Sequence, residues 1–192
     1  PTASIITDVL LGAEVRAKQK QKQLQIISEI DESLPAVLYG DDIRIKQVLN
    51  NLLSNAVKYT ENGSVTFSAE RLDGDDGFSL RFHVKDTGIG IRKEDMEKLF
   101  GSFERLELSK NRYIQGTGLG LNIAKQLVTA MGGTIDVQSE YGIGTCFTVV
   151  IPQQIVDNTP MNEKPRAVAV SETATEEKKH FYAPDAKVLA VD

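Results

Sequence analysis

Asn51, Asn55, Lys58 and Tyr59 fall on a stretch that also carries Ile45, Val48, Leu49, Leu52, Leu53 and Ala56. The apolar set follows an i, i+3, i+4, i+7 pattern and reads as the core stripe of a helix. At about 100° per residue, Asn55 and Lys58 lie within about 40° of Asn51, and Tyr59 within about 80°. Two amides, an ammonium and an aromatic ring therefore share one face beside the core. An Asn carbonyl oxygen can ligate Mg²⁺, a lysine can neutralise phosphate, and a tyrosine can cover a base. The plain alternative is a polar helix face with a boundary tyrosine.

Three further groups could do chemistry. Asp86-Thr87-Gly88-Ile89-Gly90-Ile91 ends a stretch of period two from Phe78. That period turns Asp86 the same way as Val84 and Phe82, toward the covered face of a sheet. A carboxylate there needs a hydrogen-bonding partner, and an adenine amino group would be one. Gly116-Thr117-Gly118-Leu119-Gly120-Leu121 opens a helix, where backbone N–H groups can approach an anion. It lacks the Gly-Lys pair of a Walker loop, and it does not follow a strand as a Rossmann loop does. Leu99-Phe100-Gly101-Ser102-Phe103-Glu104-Arg105 leads into a charged segment with Lys110 and Arg112. Two phenylalanines there could anchor a movable loop, and its cations could meet phosphate. Each group taken alone has a bland reading as a turn, hinge or solvated loop.

The elements that must position these groups alternate strand and helix. We expect strands over residues 24–30, 64–71, 78–86, 134–139 and 145–151. Helices are expected from Asp41 or Asp42 to about Tyr59, over residues 92–100, and from about Gly118 to Met131. Gly132-Gly133 closes the last of them. The spacing of Ile5, Ile6, Val9 and Leu10 adds an amphipathic lead-in helix. Interleaved elements of this kind argue an α/β two-layer sandwich, a mixed sheet of about five strands covered on one face by three helices. The expected organisation is a lead-in over 1–23, a domain over 24–152 and a linker over 153–186. The strand pattern of Lys187-Val188-Leu189-Ala190-Val191-Asp192 would open another domain.

Composition narrows the function. At 41% hydrophobic residues, the 192-residue chain can bury a real core. Its longest apolar run, near Phe147 to Ile151, is far short of the roughly 20 residues of a spanning helix. No basic start precedes an apolar stretch, so no signal peptide is expected. One cysteine, Cys146, excludes a disulfide scaffold and a Cys-based zinc site. A net charge of −5 gives no bulk attraction for nucleic acid. We expect a cytoplasmic domain, whether or not its parent protein is membrane-anchored.

In order and spacing, the four groups resemble the N, G1, F and G2 boxes of histidine kinase catalytic domains, members of the GHKL ATPase superfamily with the Bergerat ATP-binding fold. The run from Gln47 to Thr60, with Asn50-Asn51-Leu52-Leu53-Ser54-Asn55-Ala56-Val57-Lys58-Tyr59 at its centre, is close to the family's usual wording. The resemblance covers about residues 24–152. It implies ATP and Mg²⁺ as cofactors, with Asn55 on the metal and Asn51 and Lys58 on the phosphates. It implies Tyr59 against the adenine, Asp86 accepting from the adenine amino group, and Gly88 and Gly90 letting the backbone pass the base. Gly116, Thr117, Gly118, Leu119 and Gly120 would close over the triphosphate, Arg105 would reach the γ-phosphate, and Thr145 after Gly142-x-Gly144 would complete the adenine floor. Catalysis would rest on Asn51, Lys58 and Arg105. Gly101 departs from the pattern, where an acidic residue is common, and should only loosen the base of the lid over residues 104–115.

The resemblance also implies partners. The acceptor histidine would sit on a dimerisation domain of the same protein, with residues 1–20 as the exit from it. Residues 187–192 look like the first strand of a response-regulator receiver domain, as in a hybrid kinase. His83 reads as a sheet-face side chain and His180 lies in the expected linker. Two competing readings are an ATP-driven conformational ATPase of the same superfamily and a degenerate nucleotide-binding module. The ATPases place a Glu four residues before the metal-binding Asn. Here that position is Asn51, an amide that cannot take a proton, which favours transfer to histidine.

Overall fold

The computed structural model describes residues 1–74, 77–96, 99 and 120–161. The Phe100 and Phe103 anchors, Arg105, Gly116, Thr117, Gly118, Leu119, the expected lid and the expected receiver strand lie outside them.

Ten elements follow one another: α1 (Thr2–Gln19), β1 (Gln23–Ile30), β2 (Pro35–Tyr39), α2 (Asp42–Tyr59), β3 (Asn62–Gly74), β4 (Gly77–Asp86), α3 (Lys93–Met96), α4 (Gly120–Ala130), β5 (Thr134–Glu140) and β6 (Gly144–Pro160). The six strands form a mixed sheet in the order β1-β3-β4-β6-β2, with β5 also paired to β6. Only β1 and β3 run parallel; the other pairs are antiparallel.

The centre of the sheet alternates as a half-covered sheet should. Phe78, Leu80, Phe82 and Val84 of β4 are buried on one face together with Val65, Phe67 and Ala69 of β3 and Phe147, Val149 and Ile151 of β6. The Phe67 and Phe82 rings stack with centroids 6.0 Å apart. Helix α2 lays Ile45, Val48, Leu49, Leu52, Leu53, Ala56 and Val57 onto this surface. Its start is capped by Asp41, whose Oδ1 accepts from the Arg44 N–H at 3.0 Å. Helices α1 and α4 pack on either side of α2 and complete the layer.

Helix α1, within the residues expected as a lead-in, packs on the domain. Helix α1 buries Ile6, Val9, Leu10, Ala13 and Ala17 in the same core as α2. Its pattern signals an apolar face, but what covers that face is set by contacts more than 30 residues away. The Arg16 guanidinium, for one, donates to Asn50 Oδ1 at 3.1 Å.

The mixed sheet under one helical layer is as expected, and its six strands include β2, which the sequence did not signal, and a β6 that continues past Ile151 to Pro160, through residues expected as linker. Residues 154–160 of β6 pair with β2, with Pro35 opposite Pro160 and Leu38 opposite Ile155. Both segments are short of buried apolar alternation, and their register is interrupted, so neither carries the period-two signal. Of the helix expected over 92–100, Lys93–Met96 is helix, and residues 97, 98 and 100 lie outside the described residues.

Helix ends are tied by local hydrogen bonds. At α1, Gln21 N–H bonds Lys18 O at 2.9 Å and Lys22 N–H bonds Ala17 O at 3.3 Å, a Schellman motif with Gln21 at φ +52. At α4, Gly132 N–H bonds Thr129 O and Gly133 N–H bonds Val128 O, the glycine closure expected from the sequence.

Candidate nucleotide-binding site

Asp86 ends the inward stripe of β4 and is itself buried at 6% exposure, as its register with Val84 and Phe82 requires. Burial pushes its carboxyl above the ordinary range, while backbone hydrogen bonds from Gly88 and Thr145 pull the other way. The Gly88 N–H donates to Asp86 Oδ1 at 2.9 Å. Thr145 stands directly opposite Asp86 in the β4–β6 ladder and is 7% exposed.

The loop after Asp86 is held against three neighbours. Its Thr87 hydroxyl accepts from the Ser64 N–H at 3.0 Å, and Thr87 N–H bonds Ser64 O at 3.1 Å. Ile89 N–H bonds Tyr59 O at 3.3 Å, at the end of α2. Gly142 N–H bonds Ile89 O at 2.8 Å, from the β5–β6 turn. Two glycines make these approaches possible. A Cβ at Gly88 would stand 2.4 Å from Tyr59 O and 2.9 Å from Asp86 Oδ1. Gly90, at φ +64, would place a Cβ 2.0 Å from Glu140 O.

On α2, Asn51, Asn55, Lys58 and Tyr59 are all half-buried, on the face the helical period assigns them. Lys58 Nζ lies 4.8 Å from the centre of the Tyr59 ring. The position of a Cβ on Gly120 is 3.7 Å from Asn51 Cγ and Oδ1, so α4 starts beside that amide. Asn51 Nδ2 is buried and has no hydrogen-bond partner among the described residues. Eight residues of helix separate Asn51 from Tyr59, a rise of about 12 Å. The start of α4 thus stands beside the Asn51 amide, and the loop after the buried Asp86 carboxylate is seated on the Tyr59 backbone at the other end of α2. Among the described residues no cluster of His, Cys, Asp or Glu could hold a metal by itself.

Two residues of this site escaped the sequence reading. Ser139 of β5 receives the Ile91 N–H at 2.8 Å, gives its proton to Gly144 O at 2.8 Å, and lies 2.9 Å from Thr145 Oγ1. It thereby joins the loop after Asp86 to the proposed adenine floor. Its one signal is a small polar residue where the alternation of Ile135 and Val137 calls for an inward side chain. Thr60 is fully buried, its hydroxyl has no partner among the described residues, and it lies 2.9 Å from where a Gly88 Cβ would be. His83 stands on the face of β4 opposite Phe82, Val84 and Asp86, bonded to Thr148 Oγ1 at 3.0 Å.

A mixed sheet under one helical layer, with a buried acid at a strand end and amides along the covering helix, is the arrangement of an ATPase-type nucleotide domain. Residues 40–155 match the model of the family described as histidine kinase-, DNA gyrase B-, and HSP90-like ATPases, and the chain belongs to that family. It is 41% identical over 140 residues to hybrid signal transduction histidine kinase B of Dictyostelium discoideum, covering 72% of this chain and 7% of that protein. It is 43% identical over 132 residues to the sensor histidine kinase RcsC of Escherichia coli K12, covering 69% of this chain and 14% of that protein. The chain thus spans a small part of the length of these relatives. Among solved structures, full-length ShkA in complex with AMPPNP superimposes with a TM-score of 0.68 at 31% identity, covering 82% of this chain and 31% of that one. The nucleotide-free catalytic domain of the histidine kinase ThkA gives 0.60 at 28% identity, covering 77% of this chain and 93% of that one. The similarity is therefore to the ATP-binding catalytic domains of sensor histidine kinases. No helix among the described residues is long and apolar enough to cross a membrane.

Proposed function

We propose that this domain holds Mg-ATP for transfer of the γ-phosphoryl group to a histidine on a separate dimerisation domain of its parent protein. The adenine lies at the Asp86 end, its amino group donating to the carboxylate, with Tyr59 against the ring and Thr145 beneath it. Gly88 and Gly90 keep the loop backbone clear of the base. The phosphates run along α2 toward Asn51, Lys58 and the start of α4. There Gly116, Thr117, Gly118, Leu119 and Gly120 close over them and Arg105 reaches the γ-phosphate. The Asn51 amide, without a partner among the described residues, fits a polar ligand at this place, and Asn55 offers one amide oxygen to Mg²⁺ on the same face. Bound through Asn55 and phosphate oxygens, the ion would neutralise charge on the transferring group.

The observation that carries this reading over an ATP-hydrolysing machine is Asn51 beside Gly120. Its amide can donate to a phosphate oxygen but cannot take a proton from water. A histidine acceptor is already a nucleophile near neutral pH, so positioning and charge neutralisation suffice. In this reading a response-regulator receiver domain follows from about residue 187 and takes the phosphoryl group onward, and the setting is cytoplasmic.

Asn55→Ala tests the reading. It should abolish transfer to an added acceptor-helix dimer and remove most of the Mg²⁺ dependence of nucleotide binding. Transfer at near wild-type rate would make Asn55 a surface residue and the metal assignment wrong.

A further inference from the structure

We propose that Lys22 is a positioning residue of the nucleotide site, holding the end of α2 in register with the loop after Asp86. This rests on the nucleotide reading given above. The Lys22 ammonium donates to three backbone carbonyls, Val57 O, Lys58 O and Thr60 O, each at 2.9 Å. It also pairs with Glu61 at 2.9 Å, and its side chain is 7% exposed. The last carbonyls of a helix have no intrahelical partner and carry the negative end of its dipole. Here one buried cation replaces the water that usually serves them.

The gripped carbonyls flank the residues that face the nucleotide. Lys58 and Tyr59 are the phosphate and adenine side chains, and the Tyr59 carbonyl between them receives the Ile89 N–H at 3.3 Å. The same oxygen is what a Gly88 side chain would strike. The loop bearing Asp86 and Gly88 is therefore seated on the backbone that Lys22 holds. Lys22 is in turn placed by the turn at the end of α1, where its own N–H closes the Schellman motif on Ala17 O at 3.3 Å. The chain of contacts runs from α1 through Lys22 to the adenine end of the site. Lys20, next to it, is held below the usual lysine range by burial and then by the charges of Lys22 and Lys58, consistent with the ammonium groups lying close together.

The test measures calorimetric affinity for Mg-AMPPNP alongside thermal stability, in the full 192-residue chain, at a temperature where every variant is folded. Lys22→Met removes the cation and keeps the apolar stem. It should weaken binding about tenfold. Glu61→Gln removes the ion pair but leaves the three carbonyl bonds, and should bind within about twofold of wild type. If Lys22→Met does not fold, Lys22→Gln, which keeps two donors without the charge, is judged by the same standard. Lowered stability with unchanged affinity in the Lys22 variant would show a structural cap only and overturn the proposal. Equal loss in Lys22→Met and Glu61→Gln would overturn it as well, since the ion pair would then be what matters. Failure of the wild-type chain to bind at all would instead overturn the nucleotide reading beneath it.

Discussion

The Gly88 N–H donates to Asp86 Oδ1 at 2.9 Å, so the loop that follows the acid also orients it. The Thr145 backbone N–H bonds the same carboxylate, so two neighbouring elements fix its orientation. Asp86→Asn would set an NH₂ donor or a weaker acceptor against the adenine amino group. The expected loss is about 1–3 kcal/mol, or roughly 5- to 150-fold in ATP affinity, in a folded protein. Calorimetry with unchanged affinity would refute the role.

The same residue sets a pH dependence. Its folded carboxyl is raised above the unfolded value, chiefly by burial. Its contribution to stability is therefore full below the unfolded value, about 3.9, and is lost as pH rises through the folded value. Without nucleotide, Asp86→Asn should gain on wild type in melting temperature as pH rises from about 4 to 7. A difference that stays flat across that window would show that Asp86 is not desolvated.

Gly88→Ala should harm the site through the backbone. Its Cβ would need the space 2.4 Å from Tyr59 O, pushing the loop off the end of α2. Overpacking of this kind costs about 1–3 kcal/mol. Both melting temperature and nucleotide affinity should fall. An alanine variant with wild-type values for both would mean that the loop can move away freely.

Gln21 holds a left-handed conformation at φ +52 in the Schellman turn of α1. That conformation costs a residue with a Cβ roughly 1–2 kcal/mol, part of which glycine returns as unfolded-state freedom. Gln21→Gly should therefore stabilise by about 1 kcal/mol and raise the melting temperature by about 2–4 °C. A lower melting temperature would show that the side chain does more than tolerate the turn.

The purified chain should bind ATP yet turn it over hardly at all. Asn51 cannot serve as a base for water, and His83 stands on the face of β4 opposite Asp86. Steady-state hydrolysis at about 1 s⁻¹ or faster would favour an ATP-driven machine over a phosphotransfer domain.

The placement of the candidate residues was legible in the sequence where its logic is local. Helical period placed Asn51, Asn55, Lys58 and Tyr59 on one face of α2, because 3.6 residues per turn leaves little choice once Leu49, Leu52, Leu53 and Ala56 are inside. Strand period likewise turned Asp86 inward behind Val84. The glycine spacing suggested a tight turn, but that Gly88 and Gly90 press on Tyr59 O and Glu140 O is seen only in the packed structure. The four groups in order were enough to indicate the fold and the family.

Only the tertiary structure decided what closes around them. Helix α1 packs along α2, where Arg16 reaches Asn50 and Asp8 pairs with Lys46, and its buried side chains enter the common core. The pairing of β2 with residues 154–160 of β6 depends on backbone hydrogen bonds between segments more than 100 residues apart, which leave no side-chain period to read. Ser139 reaches the loop after Asp86, and Lys22 reaches the carbonyls of α2, through contacts that span roughly 35 to 50 positions of chain. Side-chain type tells what a hydroxyl or an ammonium can bond. Which carbonyl comes within 2.9 Å is settled only when the sheet and its helices have packed.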